Sequence, residues 1–294
     1  MTTPALHGII AYPVTPFTAD GAGIDTDKLA ALVDRLVEAG VHAIAPLGST
    51  GESAYLTEPE FDAVVEGTVA AVAKRVPVVV GASDLTTANT VRRARYAQRA
   101  GADALMILPV SYWKLTDREI VAHYAAVAAA VDLPIMAYNN PATSGIDMTP
   151  ELLVRMFTEI DNVTMVKEST GDLTRMLRLA ELTGGALPFY NGSNPLVLQA
   201  LTAGAAGWCT AAPNLRPQPC LDLYGAVRAG DTAAAQSIYD ELAPLLHFIV
   251  DGGLPTTVKA GLDLLGRGVG DPRPPLLPLD PARCSDLRTL LAAG

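Results

Sequence analysis

Lys167 closes an apolar run, Val163-Thr164-Met165-Val166, and the chain continues directly into Glu168-Ser169-Thr170. A charged amine at the end of a strand-like stretch admits two readings, an exit to solvent or a nucleophile. An ordinary lysine, with a pKa near ~10.4, is protonated at neutral pH; desolvation lowers that value, and the neutral amine attacks carbonyl carbon. Schiff-base formation is therefore the chemistry that Lys167 offers. The other lysines have ordinary homes by pattern: Lys28 and Lys74 on helices, Lys114 in a loop, Lys259 on a C-terminal helix.

Two further stretches carry chemistry. In Leu47-Gly48-Ser49-Thr50-Gly51-Glu52-Ser53, two glycines bracket hydroxyls, so backbone N–H groups can approach an anion closely. The Gly-x₄-Gly-Lys spacing of a nucleotide loop is missing, and a tight connection ahead of a helix beginning near Glu58 is the plainer reading. In Ala137-Tyr138-Asn139-Asn140-Pro141, a phenol stands where it could relay protons or plug a barrel mouth. Lysine, phenol and hydroxyl-glycine turn all follow different strand-like runs, and the C-terminal ends of strands are where barrel enzymes place their chemistry.

The elements that must position these groups alternate along the chain. Short apolar runs at 8–12, 42–46, 77–81, 103–108, 133–138, 163–167, 187–190 and 207–210 read as strands. Helical spacing fills 27–39, 58–73, 87–100, 117–130, 150–157, 172–182 and 195–203. In "EAGVHAIAPLG", "RAGADALMILP" and "TAGAAGWCTAAP" a helix closes at Ala-Gly and a strand starts shortly after, because glycine suits a left-handed cap. Eight such strands predict an α/β fold, a (β/α)₈ barrel, with an open doubly wound sheet as the competing architecture. Beyond Pro213 the pattern is helical, at 219–229, 231–250, 255–265 and 285–292, with an extended Pro/Gly-rich linker. The expected division is a catalytic barrel over 1–226 and a C-terminal helical extension over 227–294. Period-two alternation sets Lys167 on the face of Val163 and Met165.

Composition narrows the function. Of 294 residues half are apolar, and a net charge of −10 with pI ≈ 4.8 opposes binding to phosphate backbones, so no nucleic-acid partner is expected. The densest basic stretch, Arg92-Arg93-Ala94-Arg95, reads as the wet side of a helix. The cysteines Cys209, Cys220 and Cys284 are scattered and without metal-like spacing, which suits a reduced, cytoplasmic setting. Residues 1–7 lack a basic start with an apolar core, and no apolar run is long enough to span a membrane. His7, His42, His123 and His247 show no zinc-like spacing, so no metal is expected.

At "VTPF" (14–17), "GSTGES" (48–53) with Glu60 beyond it, "YNNP" (138–141), "VKEST" (166–170) and "NGSN" (191–194), the sequence resembles the dihydrodipicolinate synthase / N-acetylneuraminate lyase family. These are pyruvate-handling class I aldolases on a (β/α)₈ barrel, and the match runs nearly the length of the chain. The resemblance implies that Lys167 is the Schiff-base lysine and Tyr138 the proton-shuttling phenol. It implies that Ser49 and Thr50 hold the carboxylate of a 2-oxo acid, with Ser49 linking Tyr138 to the relay, and that Gly48, Gly192 and the backbone of Cys209 line the pyruvate pocket. Tyr112 is similar to a tyrosine lent across a dimer interface, so a homo-oligomer, commonly a tetramer, is implied. No cofactor is implied.

Several positions depart from the family pattern. Thr143 stands where members that make the lysine precursor carry an arginine, and the lost guanidinium clamp is worth about 1.5–3 kcal/mol, which speaks against dihydrodipicolinate synthesis proper. Asn194 and Pro195 replace an acidic pair used for sugar hydroxyls, which speaks against sialic acid. Asn140 replaces a usually apolar residue, and Met165 a usually small one. The expected activity is addition of pyruvate to, or its release from, an aldehyde-type partner met by Trp113 and Lys114. A 2-keto-3-deoxy sugar acid aldolase or dehydratase, a silent metabolite-binding homologue and a pyridoxal phosphate enzyme remain as alternatives, the last without a phosphate cup.

Overall fold

A computed structural model describes residues 6–292 of the chain, so the leader reading on residues 1–7 falls mostly outside the described residues. Among the described residues eight strands are present: β1 (Gly8–Ala11), β2 (Ala43–Ile44), β3 (Val79–Gly81), β4 (Ala104–Ile107), β5 (Ile135–Asn139), β6 (Val163–Glu168), β7 (Phe189–Asn191) and β8 (Gly207–Thr210). Between and after them run α1 (Thr26–Glu38), α2 (Glu58–Val72), α3 (Thr87–Ala100), α4 (Asp117–Ala128), α5 (Pro141–Ser144), α6 (Pro150–Glu159), α7 (Leu173–Thr183) and α8 (Val197–Thr202). The strands lie in one sheet in the order β2-β1-β8-β7-β6-β5-β4-β3. Parallel pairing joins β1 to β2 and each successive pair from β3 to β8, with helices between the strands, which is the (β/α)₈ barrel the alternation predicted. The C-terminal helices are α9 (Pro217–Ala229), α10 (Thr232–Asp251), α11 (Leu254–Leu264) and α12 (Pro281–Ala292).

The described residues group into two compact units. One holds Pro77–Cys209 with residues 6 and 7, and therefore β3 to β7 and most of β8. Its strands are largely apolar because one face packs inside the barrel and the other under the helices: Val79, Leu105, Ile107, Met136 and Val166 are all fully buried. Thr86 caps α3 by accepting the Asn89 N–H, and Gly101 ends it in left-handed backbone (φ 100°), as the Ala-Gly echo requires. Between Ile135↔Val163 and Met136↔Met165 the register slips, so β6 carries one extra residue, Thr164, against β5. Strict two-residue alternation therefore holds from Met165 to Lys167 and does not extend back to Val163, a correction to the face assignment.

The other unit holds Gly8–Val76 and residues 210–292. Here β1 pairs with β2, and Thr210 at the end of β8 accepts the Tyr12 N–H at 2.9 Å. A capping box starts α2: the Glu60 carboxylate reaches back to the Thr57 N–H at 2.8 Å. Three sequence expectations fail. Lys74 lies beyond α2, whose cap Ala73 and Lys74 itself both take left-handed backbone. Arg93, in the first unit, is buried, donating to Ser83 O at 2.6 Å and pairing with Asp84, instead of facing water. Lys259 does lie on a C-terminal helix, as expected, and only its ordinary surroundings fail, because it is almost wholly buried.

Candidate active site

Lys167 sits near the C-terminal end of β6, between β5 and β7, in register with Tyr138 and Tyr190. It is 5% exposed. Its Nζ lies 3.9 Å from the centroid of the Tyr138 ring and 4.0 Å from Sδ of the buried Met106 on β4. An ammonium over an aromatic face gains about 0.5–2 kcal/mol, more as water is withdrawn. The Tyr138 hydroxyl accepts a hydrogen bond from Asn140 Nδ2 at 2.7 Å, so the polar residue at a usually apolar position contacts the phenol directly.

Gly192 follows β7, its N–H donating to Glu168 O at 2.8 Å. A Cβ there would stand 2.8 Å from Lys167 Cε and overlap Ser169 Oγ, so the glycine of "NGSN" is required by close approach to the lysine. Ser169 itself was not singled out by sequence reasoning. Its Oγ is buried without a hydrogen-bond partner among the described residues, two positions beyond Lys167. That spacing was the available signal.

Beneath this group, a buried carboxylate fixes the strand ends. Glu168 is fully buried; its Oε2 accepts from Asn139 Nδ2 at 3.0 Å and meets Arg175 Nε at 3.4 Å, while Oε1 accepts the Thr170 N–H at 2.8 Å. Asn139 Oδ1 accepts the Met148 N–H at 2.9 Å, and Arg175 donates to Asp147 at 2.7 Å and Met148 O at 2.6 Å. A fully buried charge must be paired and hydrogen-bonded, and here β5, β6 and α7 jointly meet that demand. Glu168, Asn139 and Arg175 escaped sequence reasoning because their partners are distant in the chain or set by the ladder.

In the second unit, Gly48, Ser49 and Thr50 follow β2, with Gly48 and Thr50 buried and Ser49 half-buried. Gly51 N–H donates to Gly48 O at 3.0 Å, Glu52 N–H to Ser49 O at 3.2 Å, and Thr15 Oγ1 to Gly51 O at 2.6 Å. Leu47 (φ 63°) and Glu52 (φ 56°) flank the turn in left-handed backbone, which costs a non-glycine residue about 1–3 kcal/mol. A Cβ on Gly51 would come within 3.0 Å of Leu47 N, so this turn needs its glycine.

Behind the turn lies a cluster of four charges. Lys259 Nζ is 2.7 Å from Glu52 Oε1, with side chains 2% and 0% exposed. Arg273 donates its N–H to Glu52 Oε2 at 2.7 Å and both terminal nitrogens to Glu60 at 2.7 Å. Burial pulls the Lys259 amine below its usual range, with Glu52 opposing. Arg273 holds the Glu60 carboxyl down at about 2.

The remaining predicted residues are dispersed. Cys209 is buried on β8 as a thiol, Thr143 is exposed on α5, and Lys114 is exposed in a loop. Tyr112 is 96% and Trp113 79% exposed. Thus Lys167, Tyr138 and Gly192 come together in one unit, and Gly48, Ser49 and Thr50 form one turn in the other. Among the described residues no group of three or more His, Cys, Asp or Glu side chains could hold a metal ion, and no helix is long and apolar enough to cross a membrane.

Residues 5–293 match the model of the dihydrodipicolinate synthetase family. A 4-hydroxy-tetrahydrodipicolinate synthase of Methylobacterium radiotolerans is 38% identical over 279 residues, covering 95% of this chain and 92% of its own. A crystal structure from Pseudomonas aeruginosa, provisionally described as a dihydrodipicolinate synthetase, superposes with a TM-score of 0.97 at 56% identity, over 98% of this chain and 99% of that one. The chloride-inhibited dihydrodipicolinate synthase of Acinetobacter baumannii, solved with pyruvate, gives 0.93 at 30% identity over 98% of both chains. The chain belongs to the dihydrodipicolinate synthetase family, whose members are Schiff-base lyases and aldolases.

Proposed function

We propose that the protein is a pyruvate-dependent class I aldolase or lyase in which Lys167 forms a Schiff base with a 2-oxo acid. The observation that carries the reading is the withdrawal of the Lys167 amine from water against the Tyr138 ring, 3.9 Å away. The amine adds to the ketone carbon, the carbinolamine loses water, and the iminium draws electrons from the neighbouring carbon to give an enamine. That enamine adds to an aldehyde-type partner, or is released by cleavage in the reverse sense. Tyr138 moves the protons, steadied by Asn140. Gly48, Ser49 and Thr50 hold the substrate carboxylate and Gly192 and Cys209 line the pocket, roles that rest on the family resemblance. The relative solved with pyruvate supports a 2-oxo acid as the first substrate.

The names of the relatives suggest 4-hydroxy-tetrahydrodipicolinate synthesis for this chain too. Thr143, exposed and uncharged at the arginine slot, favours a different second substrate. Trp113 and Lys114 meet that aldehyde-type partner, and Tyr112, 96% exposed, reaches a second copy of the chain in a homo-oligomer working in the cytoplasm. Borohydride treatment with a panel of 2-oxo acids tests the first substrate: pyruvate should give irreversible inactivation, and inactivation by longer oxo acids alone would redirect the assignment. For the partner, turnover of wild type and Lys114→Ala is compared across an aldehyde panel. Equal profiles would reject Lys114.

A further inference from the structure

We propose that Lys259 and Arg273, on and after α11, are positioning residues for the turn at 48–51, acting through the carboxylates of Glu52 and Glu60. The inference rests on the reading of that turn as the grip on a 2-oxo acid's carboxylate. Glu52 closes the turn in left-handed backbone (φ 56°), which a non-glycine residue keeps only where its surroundings compel it. Its own side chain supplies the compulsion. Oε1 is ion-paired with Lys259 Nζ at 2.7 Å, Nζ itself donating to Asp271 O at 3.1 Å, and Oε2 accepts the Arg273 N–H at 2.7 Å.

Arg273 extends the same hold along the chain. Besides gripping Glu60 with both terminal nitrogens, it donates to Tyr55 O at 3.2 Å and to Gly21 O at 3.1 Å. One guanidinium thereby fixes the whole path from the turn into α2. Phe17, in the "VTPF" stretch, takes both cations on its ring, Lys259 Nζ at 3.9 Å and Arg273 Cζ at 4.3 Å. From that stretch Thr15 returns to the turn by its bond to Gly51 O. A buried ion pair adds little net stability compared with an apolar pair of the same shape, whereas its geometry is tightly specified. What this cluster contributes to the enzyme is a fixed place for the turn's N–H and hydroxyl groups.

The test compares two ketones. Borohydride trapping on the full chain is titrated with pyruvate and with acetone, a methyl ketone that has no carboxylate. Variants are Lys259→Met, the double variant Lys259→Met with Glu52→Gln, which folds without a lone buried charge, and Arg273→Ala. In each, half-saturating pyruvate should rise at least ten-fold, with acetone within two-fold of wild type and full labelling still reached at saturation. Arg273→Lys, which keeps the charge but not the fork, should recover part of the loss. A parallel shift for both ketones, or none for either, would overturn the proposal by reducing the cluster to general support. Wild type labelled equally well by either ketone would remove the carboxylate grip, and the proposal with it. Wild type labelled by neither would refute the Schiff-base reading as well.

Discussion

Gly192→Ala isolates the geometry around Lys167 from the stability of the barrel. The added Cβ would stand 2.8 Å from Lys167 Cε, about 0.7 Å inside the ~3.5 Å at which two carbons sit comfortably, and it would also meet Ser169 Oγ. Ser169 must turn its hydroxyl away and the lysine stem must give way, which disturbs the placement of its Nζ 3.9 Å from the centroid of the Tyr138 ring. Overpacking of this kind costs about 1–3 kcal/mol of stability, well short of what unfolds a chain of this size. Misplacing a reacting atom by roughly 1 Å costs about 100-fold in rate, so a shift near 0.7 Å should slow adduct formation by about 10- to 100-fold. The assay is single-turnover borohydride trapping with pyruvate, run beside urea denaturation. A variant that traps at the wild-type rate would refute the placement of Lys167 against Gly192, and one that fails to fold would show that the crowding was placed too deep in the core.

Three further outcomes are expected. Glu60 is held at about 2 against an ordinary value of 4.5, so its contribution to stability is complete above pH 4.5 and is lost as pH falls toward 2; in Arg273→Met, the deficit in urea midpoint against wild type should shrink across that window, and a pH-independent deficit would contradict the pairing. Asn140→Val removes the donor at 2.7 Å from the Tyr138 hydroxyl, a net hydrogen bond of about 0.5–1.5 kcal/mol, so kcat should fall about 2- to 12-fold with half-saturating pyruvate unchanged; an unaltered kcat would remove Asn140 from the relay. Ser169→Ala deletes a buried hydroxyl that makes no hydrogen bond among the described residues, so the urea midpoint should stay level or rise, and a clear fall would mean the hydroxyl has a partner.

The architecture was legible because two physical signals repeat. Apolar β-branched runs mark strands buried on both faces, and glycine after alanine marks helix ends: Gly40, Gly101 and Gly204 all take left-handed backbone, at φ values of 97°, 100° and 97°. Lys167 was legible for a related reason, since a charge at the end of such a run has no local explanation. Lys259 was not. On α11 it looks like any helical lysine, and its burial is decided by Glu52, Phe17 and Asp271, none of them near it on the helix. The same holds for Arg93, whose acceptor Ser83 O lies in the loop after β3. The extra residue at Thr164 was hidden because a bulge is a relation between two strands, and periodicity reads only one of them. The short helix α5, four residues opened by Pro141, is too brief to show a period at all.

Two buried amines allow a direct test of which lysine captures the ketone. Lys167 lies against a phenol and a thioether, whereas Lys259 is already tied to Glu52 at 2.7 Å. Peptide mapping of the wild-type chain after borohydride reduction with pyruvate should find one reduced adduct, on the peptide carrying Lys167, and none on that carrying Lys259. An adduct on Lys259, or on no lysine, would contradict the account.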